Sequence, residues 1–569
     1  MRPPAHPQGG TCTLIGTLII LAAQATAGDG IPLAATRAEA HRILATRFPT
    51  PRGAGLPDKC GLPVLSAAIS QRASLSTGER SALSSLLDRL ERQTSIVADN
   101  GLFKIHYDTT GPDSPALLDG AGNRIPGTAR AYVDSTMAII SHVYQFETGT
   151  LGFSPPPNDG TLGGGPEYDI YIYDLAATYG SGTYGLTTPD AAIAEGGTSS
   201  TFIEIDKDFS FVRPDANRGI PSLRVTLAHE FHHALQIGSY GFWTSDVWFH
   251  EITSVWMEDV VFHGENDYLN YLFSSDSQFR IPGSPLTSND FIMYSRGILG
   301  KYFTKKFGSD MMLHIWQNIR TLSPLPAIDY TLRQPPRTSS LGVAFAEWTL
   351  WNYYTGPRAD TVTYYNEGAQ FPVIAESHYD LISPSQQVTG SLACLAGAYF
   401  GFSTGSDTVT VALANLNTTC PSGTPSSSPY TLTVSRNKPD DSYRAIAGGL
   451  YMKLDVANPS QWFAWAIGRQ GPGTTSIAEG GAYPNPFNPG EGGLLYMPAD
   501  ADRGTLSIYS SGMELVYTGS PETKWRLGQR VFTWDGITKG NSVAPTGIYL
   551  FVLSLPGRTV TGKFALVRR

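Results

Sequence analysis

One run of five residues constrains this chain more than any other: His229-Glu230-Phe231-His232-His233, set within LRVTLAHEFHHALQI, residues 223–237. Apolar Leu227, Phe231, Ala234 and Leu235 surround the histidines at helical spacing. Ser222 is the expected N-cap and Gly238 the expected stop. On a helix, positions i and i+4 lie one above the other, so the imidazoles of His229 and His233 share a face. Two nitrogens held that way can each reach a metal ion at about 2.0–2.1 Å. Glu230 leaves the helix about 100° from His229, beside such an ion rather than on it, where it can accept a proton from water. A helix that merely carries two buried histidines is the alternative. His232 points off the His229/His233 line and reads as a packing or supporting residue.

A third ligand decides the class of site. A histidine three positions after a glycine at 236 would continue the motif in one direction, but the chain has Gln236 and Ser239. Downstream lies WFHEITSVWMED, residues 248–259, apolar-periodic with acids at helical spacing. Glu251 follows His233 by 18 residues. This arrangement resembles the gluzincins, zinc peptidases in which a glutamate on the next helix completes the site. The resemblance implies zinc held by His229, His233 and Glu251, with Glu230 as general base. The family's supporting aspartate, four residues past the ligand, is Val255 here. Glu258, seven residues past Glu251, returns to the same face and can orient a histidine instead.

Before the motif, FKIHY (103–107), YDIYIY (168–173) and TFIEI (201–205) alternate as strands, and residues 129–146 have helical periodicity. Together with HEFHHALQ and WFHEITSVWMED these segments resemble a family of bacterial secreted metallopeptidases over roughly residues 100–360. Residues 290–354 read as helical. There, Y-x-x-G followed by YF-x-x-KFG resembles the gluzincin helix that follows the glutamate. That likeness makes Tyr294 a candidate donor to an oxyanion, with Arg296 and His250 as weaker alternatives.

The chain begins with Arg2 and His6, a short apolar run from Cys12 to Ala23, and Ala25-Thr26-Ala27. That is the pattern of a secretory signal, and no later run approaches the length of a membrane span. An exported protein without a span is the expectation. Net charge −9 and a pI near 5.7 argue against nucleic acid or an anionic membrane as partners. Residues 28–98 read as a pro-segment or leader, with a helix over 64–92 broken at Ser76-Thr77-Gly78.

Residues 366–475 become β-patterned (DTVTVALA, YTLTVS), and Cys394 and Cys420 within them are expected to pair. The final segment, 480–569, runs from YPNPFNP through WDG and GIYL to GKF. It resembles the Ig-like C-terminal sorting domains of type IX secretion, which implies the secretion machinery as a partner. An ordinary terminal β-sandwich is the plain alternative.

The expected fold is multidomain α+β. A zincin-like domain with sheet and helical subdomains spans 99–365, and two small β-sandwiches follow. The expected function is a secreted or cell-surface zinc endopeptidase acting on proteins or peptides. A non-catalytic adhesin that keeps a zinc scaffold is the second class, and an aminopeptidase a subsidiary one, although no G-x-M-E-N-type motif is present.

Cys60 is left over once Cys12 is removed with the signal. Its setting, Cys60-Gly61-Leu62-Pro63, resembles in part the cysteine switch of matrix metallopeptidases, in which a pro-segment thiolate occupies zinc. Arg52 is not adjacent to the cysteine as that motif requires. A buried structural thiol or a bridge to another partner are the other readings.

Overall fold

The computed structural model describes residues 33–49 and 59–568, apart from residues 181, 382–383, 404–407, 420–425, 438–442, 447–449, 470–481, 486, 490–492, 499–500, 511–513, 527–528 and 556–557. The expected signal, 1–27, lies outside the described residues.

Three helices come first: α1 (Leu33–Arg47), α2 (Leu62–Ser70) and α3 (Thr77–Leu87). The helix expected over 64–92 is divided as its Ser76-Thr77-Gly78 signal suggests, but it stops at Leu87. Ser76 opens α3 with a reciprocal cap. Its hydroxyl accepts from the Glu79 amide at 3.3 Å, and the Glu79 carboxylate accepts from the Ser76 amide at 2.7 Å.

A five-stranded sheet follows, interleaved with helices. Its elements are β1 (Thr94–Val97), β2 (Phe103–Tyr107), α4 (Ala129–Tyr144), β3 (Tyr168–Tyr173), α5 (Leu175–Tyr179), β4 (Gly185–Pro189) and β5 (Thr201–Asp206). The strand order is β1-β2-β3-β5-β4. The central three are parallel, and β1 and β4 run antiparallel at the two edges.

Strand alternation sorts the side chains of β3 onto two faces. Ile170 and Ile172 join a core with Tyr132 and Ile140 of α4 and with Leu227 and Phe231. Tyr171 and Tyr173 join a second core with Leu44, Leu65 and Leu83 of the first three helices. Each of these leucines is buried, and such burial is worth about 1.5–3 kcal/mol per side chain. The N-terminal helices are therefore a full layer on the sheet. They are pinned there by Arg37 of α1, whose guanidinium meets Glu204 of β5 at 2.8 Å with both groups buried.

The helical part comprises α6 (Ile220–Leu235), α7 (Val247–Val261), α8 (Leu269–Leu272), α9 (Ile292–Ser295), α10 (Ile298–Phe307), α11 (Met311–Ile319), α12 (Pro324–Arg333) and α13 (Leu341–Tyr353). Both expected ends of α6 are corrected. The N-cap is Gly219, at φ 71°, rather than Ser222, because Pro221 fits the first turn, where no amide is needed. Gly238 does not stop the chain; it lies inside a π turn, Gln236–Tyr240, that ends at Gly241. A Cβ on Gly238 would fall 2.5 Å from the Pro157 ring, so close packing explains that glycine.

Between Ser377 and Arg469, two four-stranded sheets enclose Val388, Phe402, Val411, Leu432 and Val434. Cys394 is disulfide-bonded; Cys420, its expected partner, lies outside the described residues. Three- and four-stranded sheets between Leu495 and Leu566 close on Phe487, Trp534, Phe551 and Phe564. The chain is thus mixed α+β with several sheets. No described helix is long and apolar enough to cross a membrane.

Candidate metal centre

Helices α6 and α7 pack face to face, and β4 lies along α6. This places His229 and His233 from α6 opposite Glu251 from α7. The two histidine Nε2 atoms are 3.1 Å apart. Glu251 Oε2 lies 3.2 Å from His229 Nε2, and Oε1 lies 3.6 Å from His233 Nε2. A tetrahedral ion bonded at about 2.0–2.1 Å has ligand-to-ligand edges of about 3.3 Å, close to this spacing.

The outer nitrogens explain why the inner ones converge. His229 Nδ1 lies 2.7 Å from Glu258 Oε1, and His233 Nδ1 lies 2.8 Å from Gln236 Oε1. With Nδ1–H donated to an oxygen in each ring, both Nε2 atoms present lone pairs to one point. Neither oxygen of Glu251 makes a hydrogen bond of good geometry, although both are fully buried. Two lone pairs and a carboxylate facing one another in a buried site require positive charge.

The titration behaviour agrees. Burial opposes the charged form of His229, but the nearby carboxylates of Glu251 and Glu258, at 3.2 and 2.7 Å, outweigh it and raise it to about 10. Burial would raise Glu251, yet His233 and His229 hold it down at about 2. A divalent cation satisfies the same demand, so this donor set fits zinc.

Glu230 stands beside the cluster. Its Oε2 is 2.8 Å from the Thr187 hydroxyl, and its carbonyl is 2.7 Å from the same group. Burial pushes the Glu230 carboxyl upward, against the histidines, which lower it. The approach of β4 is close: a Cβ on Gly185 would fall 2.6 Å from Glu230 Cγ and 2.8 Å from Thr226 Cγ2. Only glycine lets the strand lie there.

A fourth donor joins the three. The ligand atoms of Cys60, His229, His233 and Glu251 all lie within 4.8 Å of one another, and all four residues are buried. Cys60 is a free cysteine, and its Sγ is 3.9 Å from Glu230 Oε2. Burial, then Glu230 and Glu251, push its thiol well up.

The remaining candidates lie around this centre. Tyr294 is buried on α9 with its ring against Tyr271 and Phe291, and it is not among the four clustered residues. Arg296 donates to Gln278 and to the carbonyls of Ser284, Pro285 and Leu286, which engages its guanidinium in that loop. His250 is held neutral, at about 3, by burial and by His233. Its Nδ1 lies 2.9 Å from Gln236 Oε1, and its Nε2 accepts from the Trp243 amide. His232 pairs with Glu147 at 2.8 Å, pointing away from the cluster.

Three supporting residues escaped the sequence reading: Gln236, Thr187 and Lys59. Gln236 had a signal, because three residues past His233 it returns to the histidine face. Lys59 had none. Its ammonium is buried against Glu258 at 2.5 Å and Asp267 at 2.6 Å.

An open cavity of about 460 Å³ lined by Leu118, Asp119, Ile125, Arg218 and Ile220 shares no residue with the cluster. The ground over the cluster is instead filled by residues 59–61.

Comparison with known proteins bears on the C-terminus alone. No curated protein and no solved structure matches the chain. The model of the FlgD Ig-like domain matches residues 487–556, so the chain carries a C-terminal FlgD Ig-like domain.

Proposed function

We propose that this chain is an exported zinc peptidase, with residues 99–365 as a zincin-like catalytic domain and His229, His233 and Glu251 as the metal ligands. The observation that carries the reading is the convergence of two imidazole lone pairs and an unbonded buried carboxylate on one point, with Glu230 beside it.

Zinc bound there supplies Lewis acidity toward a carbonyl and toward water. The chain's own residues do the rest. Glu230, raised by burial, takes the proton of the attacking water and delivers it to the leaving amine. Thr187 fixes the carboxylate that holds this proton. Glu258 and Gln236 fix the two rings. The outer edge of β4, beside Glu230, is covered at Gly185 by residues 59–61, and once uncovered it suits an extended peptide that adds as a further strand. Tyr294 is the proposed oxyanion donor.

One observation favours a second reading. With Cys60 included the site has four protein donors, as structural zinc sites do, and an adhesin could retain it. Glu230 supports the catalytic reading, because a structural ion needs no base. The C-terminal FlgD Ig-like match is compatible with a sorting role for residues 480–569. A reporter fused to that segment that fails to leave a host with type IX secretion removes this part. Cleavage of casein by the zinc-loaded chain, abolished by a chelator and restored by zinc, tests the main reading. A zinc-replete full-length Cys60→Ser chain that cuts no peptide contradicts it.

A further inference from the structure

We propose that Lys59-Cys60-Gly61 is an intrachain latch on the candidate zinc site, with the Cys60 sulfur as fourth ligand, so that the intact chain is latent. The proposal rests on the zinc reading above and adds its regulation.

Three independent contacts hold this tripeptide over the site. The first is the sulfur, which shares a buried cluster with His229, His233 and Glu251. A Glu251 oxygen lies within 4.8 Å of the sulfur, neither oxygen of that carboxylate has a hydrogen bond of good geometry, and the Leu62 amide donates to the sulfur at 3.4 Å. Thiolate is a strong zinc ligand at about 2.3 Å and excludes solvent from the position that it takes. The second contact is backbone. The Tyr184 amide donates to the Lys59 carbonyl at 2.9 Å, and the Gly61 amide to the Gly185 carbonyl at 3.2 Å. Cys60 and Gly185 thus form a parallel bridge at the start of edge strand β4, where an added peptide would lie beside Glu230.

The third contact is the Lys59 ammonium. It pairs with Glu258 Oε2, while Oε1 of the same carboxylate engages His229 Nδ1. One short segment therefore engages the metal position, the peptide edge and the group that orients a ligand. Gly61 leads directly into α2, so the helical layer and its Arg37–Glu204 pair carry the latch.

With zinc held by His229, His233 and Glu251, the Cys60 sulfur would take the fourth position in place of solvent, and Glu230, 3.9 Å away, would pass the thiol proton to water. Opening would reverse both changes, with solvent entering and the thiolate regaining a proton.

The test uses the full-length chain and its Cys60→Ser variant, each loaded with cobalt(II) in place of zinc and each assayed with zinc on casein. The expected result is a near-ultraviolet thiolate-to-cobalt charge-transfer band in the wild type and none in the variant. Casein cleavage by the variant should exceed that of the intact wild type by about tenfold or more, since activity follows the open fraction. Cobalt bound without the band overturns the latch and leaves the zinc reading intact. A band with no gain of activity in Cys60→Ser makes the sulfur a permanent ligand and also overturns it. No cobalt bound by either chain removes both readings. Should Cys60→Ser fold poorly, Lys59→Met is the second variant. A weaker band with raised cleavage supports the latch, and wild-type values for both overturn it.

Discussion

Replacing Lys59 by methionine keeps the length of the stem and deletes the charge. The ammonium is 1% exposed and lies 2.5 Å from Glu258 and 2.6 Å from Asp267, whose side chains are each 2% exposed. It also sits over the rings of Tyr184 and Tyr271 at 5.4 and 5.2 Å. Removing one partner of a buried ion pair costs about 3–5 kcal/mol, because the other charge stays buried. Here the remaining carboxylates keep some support: Asp267 Oδ1 accepts from Asn217 and Asn270, and Glu258 Oε1 retains His229. The lower end, about 3 kcal/mol, is therefore the working figure, equivalent to a rise of about a hundredfold in the open population. Cys60 reports on that population, since its buried thiol reacts with a disulfide reagent only when the segment lifts. When reclosing outpaces labelling, the rate follows the opening equilibrium. Labelling of metal-free chain, followed by mass spectrometry, should accelerate by about a hundredfold in Lys59→Met. Arg42→Met, which deletes an exposed pair with Glu39 on the same layer, should leave the rate unchanged. A Lys59→Met rate within about threefold of wild type would refute the argument that this ammonium holds the segment down.

Glu251→Ala should abolish tight zinc binding in a competition titration, while Glu258→Gln should weaken it by about 10–100-fold; the reverse order would move the ligand to Glu258. Zinc affinity should rise with pH below about 10, since His229 is held up to about 10 without metal and must lose its proton to bind. Each pH unit across that range is worth about tenfold from this residue, and calorimetry at pH 8 in buffers of different ionisation heat should count at least one proton released. Zero protons at that pH contradict the assignment. Tyr294→Phe should lower kcat by about 10²–10³ with KM little changed if the hydroxyl stabilises the oxyanion; an unchanged kcat returns Tyr294 to the core.

The parts of this site that repeat along one element were legible in the sequence. Helical spacing alone placed His229 and His233 on one face, and the strands at 103–107 and 168–173 begin and end as their alternation suggests. Glu258 lies against His229, where its seven-residue spacing from Glu251 had put it. What stayed illegible depends on contacts across the chain. Strand β4 is buried at every position, so GLTTP shows no alternation to read. Its glycine is explained by Glu230 and Thr226 of α6, which lie 45 and 41 residues on. Lys59 looks like an ordinary surface residue until Glu258 and Asp267, about 200 positions later, close over it. The ends of α6 were misplaced for a related reason. Gly238 has the composition of a stop, but its small size serves the proline pair at 156–157 rather than the backbone turn.

In the proposed site the metal and the base are separate parts, and Glu230→Gln separates them. The measurement is made in the full-length Cys60→Ser background, so that the Cys60 sulfur does not mask the result. Glutamine keeps the shape at Thr187 and removes the proton acceptor. Metal analysis should return about one zinc per chain, as in the parent, while casein cleavage should fall by about 10²–10⁴-fold. A glutamine variant that cuts casein at the parent rate, or one that has lost its zinc, would contradict the account.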